Sequence, residues 1–258
     1  MSNNKADTAV TELQKEQMLK LITKNFYKEL INYGIEKKDV ITVSSHLLDY
    51  LLKDLKDTTL RKGDEYYNHF FTIKSVQDEW STSRRFTAKE VSISSLKPEQ
   101  YLKVAAWLED PAIKYNFIPP FPESEKKLKD YFEESNRHYF TIYYNHEPVG
   151  IIGADNIDHE YKKLEMRKLV GNASLQGKGI GKFATFLFLY YSFVILNVEK
   201  VYIHSGDANI RNIILNSKFG FELEGIFFDD VLIQNKRKDV VRMGLLKARW
   251  MEIFSSSR

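Results

Sequence analysis

Apolar residues along the chain fall into a few distinct rhythms, and each rhythm predicts an element. From Thr11 to Tyr33, Met18, Leu19, Leu21, Ile22, Phe26, Leu30 and Ile31 recur at three-and-four spacing, the period of an amphipathic helix. Gly34 then supplies a helix stop, because glycine enters the left-handed cap conformation without a Cβ penalty. A second stretch, Lys38 to Leu55, carries Val40, Ile41, Val43, Leu47, Leu48, Leu51, Leu52 and Leu55. The short connection between the two predicts an antiparallel helical hairpin over residues 1–60. Two helices bury too little surface to be robust alone, so the hairpin is expected to pack on the rest of the chain or on a second copy. Residues 61–85 alternate polar, charged and aromatic side chains (Tyr66, Tyr67, Phe70, Phe71, Trp80) without a period and read as a connector.

From Phe86 the texture changes. Glu90–Ser94 reads as a strand, Pro98–Leu108 as a helix, and Glu123–Glu134 as a helix after the Pro119-Pro120-Phe121-Pro122 breaker. Tyr139–Tyr144 and Val149–Ala154 form a hairpin about Asn145-His146-Glu147-Pro148, and Lys163–Val170 is a further strand. A long apolar helix follows Gly181. Then come a strand at Lys200–Ser205, a helix at Ile210–Phe219, and strands at Glu224–Ile233 and Asp239–Leu246 joined at Gln234-Asn235-Lys236-Arg237. Strands mixed with helices in this order predict an α/β layer structure over residues 86–258.

Composition narrows the chemistry. The chain of 258 residues is 43% hydrophobic and 28% charged, with a formal net charge of +3. That balance suits a globular domain and implies neither a nucleic-acid partner nor a membrane surface, whose ligands would concentrate basic residues. No cysteine is present, which excludes disulfides, thiolate metal sites and a cysteine nucleophile, and fits a reducing, cytoplasmic location. No metal site is expected. The N-terminus lacks the apolar core of a signal peptide. The most apolar window, Phe183–Leu196, is shorter than the ~20 residues of a spanning helix and reads as a buried helix.

The segment with the clearest chemistry is Gln176-Gly177-Lys178-Gly179-Ile180-Gly181-Lys182, between a strand and the long helix. Closely spaced glycines let backbone amides approach an anion, and the helix N-terminus adds about half a positive charge, so a pyrophosphate is the natural guest. Two familiar phosphate loops fail. The Walker pattern needs Ser or Thr after its Gly-Lys pair, where this chain has Phe183, and the dinucleotide pattern needs a third glycine where it has Lys182.

Gln176, Gly179 and Gly181 do meet the Gln/Arg-x-x-Gly-x-Gly/Ala loop of the GNAT superfamily of N-acetyltransferases. Residues Asn209 through Gly220-Phe221 to Gly225 resemble a second segment of that superfamily, in order and without gaps. The stretch Glu165–Asn172 and the tail from Asp239 through Met243, Gly244 and Lys247 to Trp250 are similar to the branch that acetylates 4-amino nucleotide sugars. Together the resemblance spans about residues 86–250. It implies a mixed, mostly antiparallel central sheet flanked by helices, with acetyl-CoA as cosubstrate.

By the same resemblance, Leu169, Val170 and Gly171 offer strand amides to the pantetheine and thioester. Gln176, Gly177, Lys178, Gly179, Ile180, Gly181 and Lys182 wrap the pyrophosphate, and Asn209 and Asn212 lie near the sulfur. Glu165 matches the glutamate that histone-type members use as base for the attacking amine. The family often places a tyrosine where this chain has Asn216, as acid for the leaving thiolate. His204 and Tyr202, on the preceding strand, are the candidate substitutes. Tyr115, Asn116 and Phe117 are expected to line the acceptor pocket. The cluster Lys236-Arg237-Lys238 reads as a solvated turn.

The expected reaction is acetyl transfer to a primary amine of a small molecule, with a nucleotide-linked amino sugar the first candidate. An Nα-acetyltransferase acting on a protein N-terminus, of the ribosomal-protein type, shares the Asn209–Gly225 pattern and stays open. So does a regulatory protein. Leu21–Leu55 resembles the small aspartyl-phosphate phosphatases of sporulating bacteria, keeping Ser45, Leu48 and Asp49 of their signature but lacking its Gln-Glu pair. That resemblance would let the hairpin dock a response regulator, a further partner or a second copy.

Overall fold

The computed structural model describes residues 3–37, 39–40, 43–44, 66–110, 113, 121–122, 124–171, 175, 177–206 and 209–255. They fall into two compact units, Met1–Glu65 and Tyr66–Arg258. In the first, helix α1 runs Asn3–Asn32, starting earlier than the apolar period suggests. It stops as the sequence demands. Gly34 sits at φ 82°, the Gly34 N–H bonds Ile31 O at 3.0 Å and the Ile35 N–H bonds Leu30 O at 3.0 Å, the paired bonds of a left-handed helix cap. Most of the second helical stretch, with Ser45–Asp49, lies outside the described residues.

The second unit is built on a nine-stranded sheet in the order β1-β2-β3-β4-β5-β6-β7-β9-β8. Its strands are β1 Gln77–Glu79, β2 Arg85–Ala88, β3 Val91–Ser95, β4 His138–Tyr144, β5 Glu147–Asp158, β6 Lys163–Val170, β7 Lys200–Gly206, β8 Glu222–Ile233 and β9 Lys236–Leu246. Every pairing is antiparallel except β6 with β7. Two hairpin turns are tighter than the sequence suggests. Asn145 and His146 take φ 49° and 69°, and Gln234 and Asn235 take 50° and 59°. Two consecutive positive-φ residues make the turn whose twist matches its flanking strands.

Helices cover both faces. Over one face lie α2 (Tyr101–Leu108) and α3 (Glu125–Glu133), whose Val104, Leu108, Leu128 and Phe132 pack with Tyr139, Ile151 and Leu169 of the sheet. Alternation along β6 puts Leu169, Arg167 and Glu165 on that face and Lys168 on the other. Against the other face lies α4 (Ile180–Tyr190), continued by a π-helical turn at Tyr191–Ile195. Its Phe186 meets Trp250 and Phe254 of the C-terminal helix α6 (Lys247–Phe254), while α5 (Ile210–Ser217) follows β7. Among the described residues no helix is long and apolar enough to cross a membrane.

The segment expected to be a connector belongs, over residues 66–85, to this domain. The Tyr67 N–H bonds Lys218 O at 2.9 Å, and Phe71 stacks on Phe186 with centroids 4.5 Å apart. Trp80, in a single helical turn (Trp80–Ser83), stacks on Phe86 at 5.5 Å. Each ring is buried by a different element. The segment therefore needs no period of its own.

Candidate active site

The site begins where two parallel strands part. β6 and β7 pair only over Lys163–Glu165 and Lys200–Tyr202. Beyond that point β6 continues along β5 to Val170 and β7 continues along β9 to Gly206, but not along each other. The inner edges of Met166–Val170 and Ile203–Gly206 thus face a wedge in the middle of the sheet. Such an edge leaves strand amides and carbonyls for a ligand that can lie in it.

At the open end of β6 is the glycine-rich loop. Gly177 and Gly179 take φ 83° and 84°, and Gly179 caps α4 without any side-chain bond. Among the described residues no protein acceptor reaches the amides of Gly179, Ile180 and Gly181. The Lys178 N–H leans on Leu175 O at 3.4 Å, and the Lys182 N–H bonds Gly179 O at 2.9 Å. A Cβ at Gly177 would meet nothing within 4 Å, so no side chain fills the space above the loop. Three unpaired amides at a helix N-terminus fit the linked phosphates of coenzyme A. The expectation that all seven loop residues contribute is thereby narrowed: the amides of Lys178 and Lys182 are engaged, and Gln176 lies outside the described residues.

The other end of the wedge holds its side-chain chemistry. Glu165, 4% exposed, stands beside Tyr202 in the last paired step of β6 and β7. The Glu165 Oε2 accepts from Asn156 Nδ2 at 3.0 Å, and Oε1 is 3.0 Å from His204 Nδ1. A carboxylate only accepts, so Nδ1 carries the hydrogen and Nε2 is left as an acceptor. The His204 side chain is 23% exposed against 5% for Glu165, so the ring is the accessible end of the pair. Tyr202 packs edge-on to His204 at 5.6 Å, and burial followed by the nearby Glu165 charge raises its hydroxyl pKa, keeping it a donor. Phe227 of β8 closes the other side of His204 at 6.3 Å.

One strand away on the same face is a second buried carboxylate that the sequence reading missed. Asp155 is the ladder partner of Glu165 and is 5% exposed. It accepts from Arg167 NH1 at 2.9 Å, from the Tyr139 hydroxyl at 2.8 Å, and from the Tyr131 hydroxyl. Burial pushes the Tyr131 hydroxyl up to about 12 and the Tyr139 hydroxyl well above its ordinary value, so both remain donors. The available signal was Glu165 and Arg167 two apart on a strand that is otherwise apolar.

The remaining expectations divide. Leu169 and Val170 lie on the strand that edges the wedge, while the Gly171 N–H is held by Val149 O at 2.8 Å. Gly171 serves a different end, since a Cβ there would lie 2.2 Å from the Trp107 ring, so its absence lets α2 close on β6. Asn209 caps α5 by accepting from the Asn212 N–H at 3.3 Å, and Asn212 Nδ2 reaches Ser205 Oγ of β7 at 3.5 Å. Asn216, at the family's tyrosine position, is fully buried and donates to Asn212 O at 2.8 Å. An amide so placed cannot protonate a thiolate. Tyr115, Asn116 and Phe117 lie outside the described residues.

Comparison with known proteins agrees with this geometry. Residues 102–221 match the acetyltransferase (GNAT) family. The spermidine N(1)-acetyltransferase of Escherichia coli K12 is 24% identical over 145 residues, which are 56% of this chain and 74% of that protein. The enzyme of the same name from Vibrio cholerae O1 is 25% identical over 146 residues, 56% of this chain and 80% of that protein. Among solved structures, the Vibrio cholerae spermidine N-acetyltransferase in complex with CoA and spermine superposes with a TM-score of 0.59 at 21% identity, covering 63% of this chain and 98% of that one. A dodecameric structure of the same enzyme gives 0.56 at 22% identity, covering 63% and 96%. The unit from Tyr66 onward thus has the GNAT fold, and within it residues 102–221 carry the match to that acetyltransferase family, which supports an acetyl-CoA-dependent N-acetyltransferase.

Proposed function

We propose that this domain acetylates a linear aliphatic polyamine, with His204 as general base and Glu165 as the residue that positions it. One observation carries the assignment of roles: the bond between Glu165 Oε1 and His204 Nδ1 at the throat of the wedge, with the ring and not the carboxylate open to solvent. An alkyl ammonium of pKa about 10.4 must lose a proton before it can attack. The His204 Nε2 accepts that proton, directly or through one water, and the Glu165 carboxylate stabilises the resulting imidazolium. Acetyl-CoA supplies the activated acyl group. The amides of Gly179, Ile180 and Gly181 hold its linked phosphates. As the C–N bond forms and the C–S bond breaks, the sulfur leaves as a thiolate, whose pKa near 8.5 makes it an adequate leaving group. His204 then returns its proton to that sulfur, with the Tyr202 hydroxyl as neighbouring donor, and the second proton on the acylated nitrogen is released to water as the neutral amide forms.

The acceptor class rests on charge and shape around His204, together with the spermidine acetylation for which the relatives are named. Beside His204 stands Phe227, followed on the exposed bulge of β8 by Phe228, Asp229 and Asp230. Aromatic faces accept methylene segments and carboxylates accept ammonium groups, which suits a chain alternating the two. A nucleotide-linked amino sugar, the first candidate from sequence, would need free cations there. Arg242, the ladder partner of His204, is bonded to Glu224 at 3.1 Å and lies over Tyr202.

Incubation with acetyl-CoA and free-thiol detection tests the proposal, using spermidine, spermine, a nucleotide-linked 4-amino sugar and an N-terminal peptide as acceptors. Thiol release with the polyamines alone is the expected result. Turnover restricted to the sugar or to the peptide overturns the polyamine assignment.

A further inference from the structure

Resting on the acetyl-CoA reading above, we propose that Lys89, Lys182 and Lys218 form an anion subsite beside the loop, which binds the 3′-phosphate of coenzyme A. These three lysines come from separate elements: the β2–β3 turn, the first turn of α4, and the residue after α5. Packing brings them together. The Lys182 Nζ lies 3.7 Å from the centroid of Phe70, and its Cε is 3.9 Å from the position of a Cβ at Gly179, which ties the cluster to the phosphate loop. Lys89 and Lys182 share the ring of Phe183, at 5.8 and 5.7 Å, and Lys182 and Lys218 share the ring of Tyr67, at 5.1 and 5.6 Å.

Among the described residues none of the three is paired with a carboxylate. Three like charges gathered on one aromatic platform repel one another, and ring faces offset that only in part. Burial first, then the charges of Lys89 and Lys218, lower the Lys182 pKa, so an anion placed among them would relieve a cost that the empty cluster carries. The free amides of the loop already account for the diphosphate. A polyanion anchored there still has one phosphate to place, the monoester on its ribose, and that group carries close to two charges near neutral pH. Unlike the loop, this subsite uses Tyr67, Phe70 and Lys89, which precede the segment matched to the family.

Calorimetric titration of the full-length chain with coenzyme A and with 3′-dephospho-coenzyme A tests the proposal. The expected result is roughly ten-fold or more tighter binding of coenzyme A at low salt, a gap that narrows as ionic strength rises. A Lys89→Gln/Lys218→Gln variant is expected to bind the two ligands alike. Equal affinity of the wild-type chain for both ligands overturns the subsite and leaves the acetyltransferase reading intact. Equal weakening of both ligands in the variant also overturns it, by assigning the lysines to the diphosphate. Binding of neither ligand overturns the cofactor reading itself.

Discussion

Glu165 and Asp155 are neighbours in one ladder, on one face of one sheet, with nearly the same burial, yet they are held in opposite ways. Asp155 is saturated by two guanidinium groups, Arg167 and Arg137, that cannot give up their charge and by two phenols whose hydroxyls stay protonated. Glu165 has a neutral amide on one oxygen and, on the other, an imidazole whose ring is partly exposed. A buried carboxylate with a permanent cation is a structural part. One with a titratable partner that reaches solvent can drive proton transfer. The pairing partner, more than depth of burial, separates framework from chemistry here.

Isosteric amides probe that contrast most sharply. Asp155→Asn removes the buried carboxylate that Arg167 and Arg137 share, and is expected to cost about 3–5 kcal/mol of stability, read by urea denaturation. A loss below ~1 kcal/mol would show that Asp155 is not the structural partner described. Glu165→Gln strands no charge, because His204 can be neutral. Its stability is expected to stay within about 1 kcal/mol of wild type while kcat/KM falls by about 100-fold. Full activity in that variant would remove Glu165 from the proton path. Smallest of the three, Tyr131→Phe removes one donor from Asp155 but leaves Arg167 in place. It is expected to cost about 1 kcal/mol and to leave kcat/KM within about two-fold, and a large rate loss would extend the reacting site into the Asp155 cluster.

Sequence and structure meet most closely where chemistry is local. β6 has the bounds that alternation gives it, Gly34 caps α1, and the loop glycines lie at a helix N-terminus. Each of these depends on residues a few positions apart. What escaped depends on long separations. The Asp155 cluster joins Tyr131 to Arg167 across 36 residues, and Tyr190 bonds Asp78 across 112. No period records such contacts, which is also why residues 66–85 read as a connector although they complete the sheet and wrap α4. Glu165 was legible through resemblance, while its bond to His204 was not. The proposal that His204 rather than Glu165 is the base rests on which end of the pair reaches solvent.

The kcat/KM of His204→Asn, set beside that of Glu165→Gln and of the double variant, tests the central claim most directly. With the ring as base and the carboxylate as its positioner, His204→Asn should lose at least as much rate as Glu165→Gln, and the double variant should lose no more than His204→Asn alone. A His204→Asn variant that keeps the wild-type kcat/KM would contradict the account.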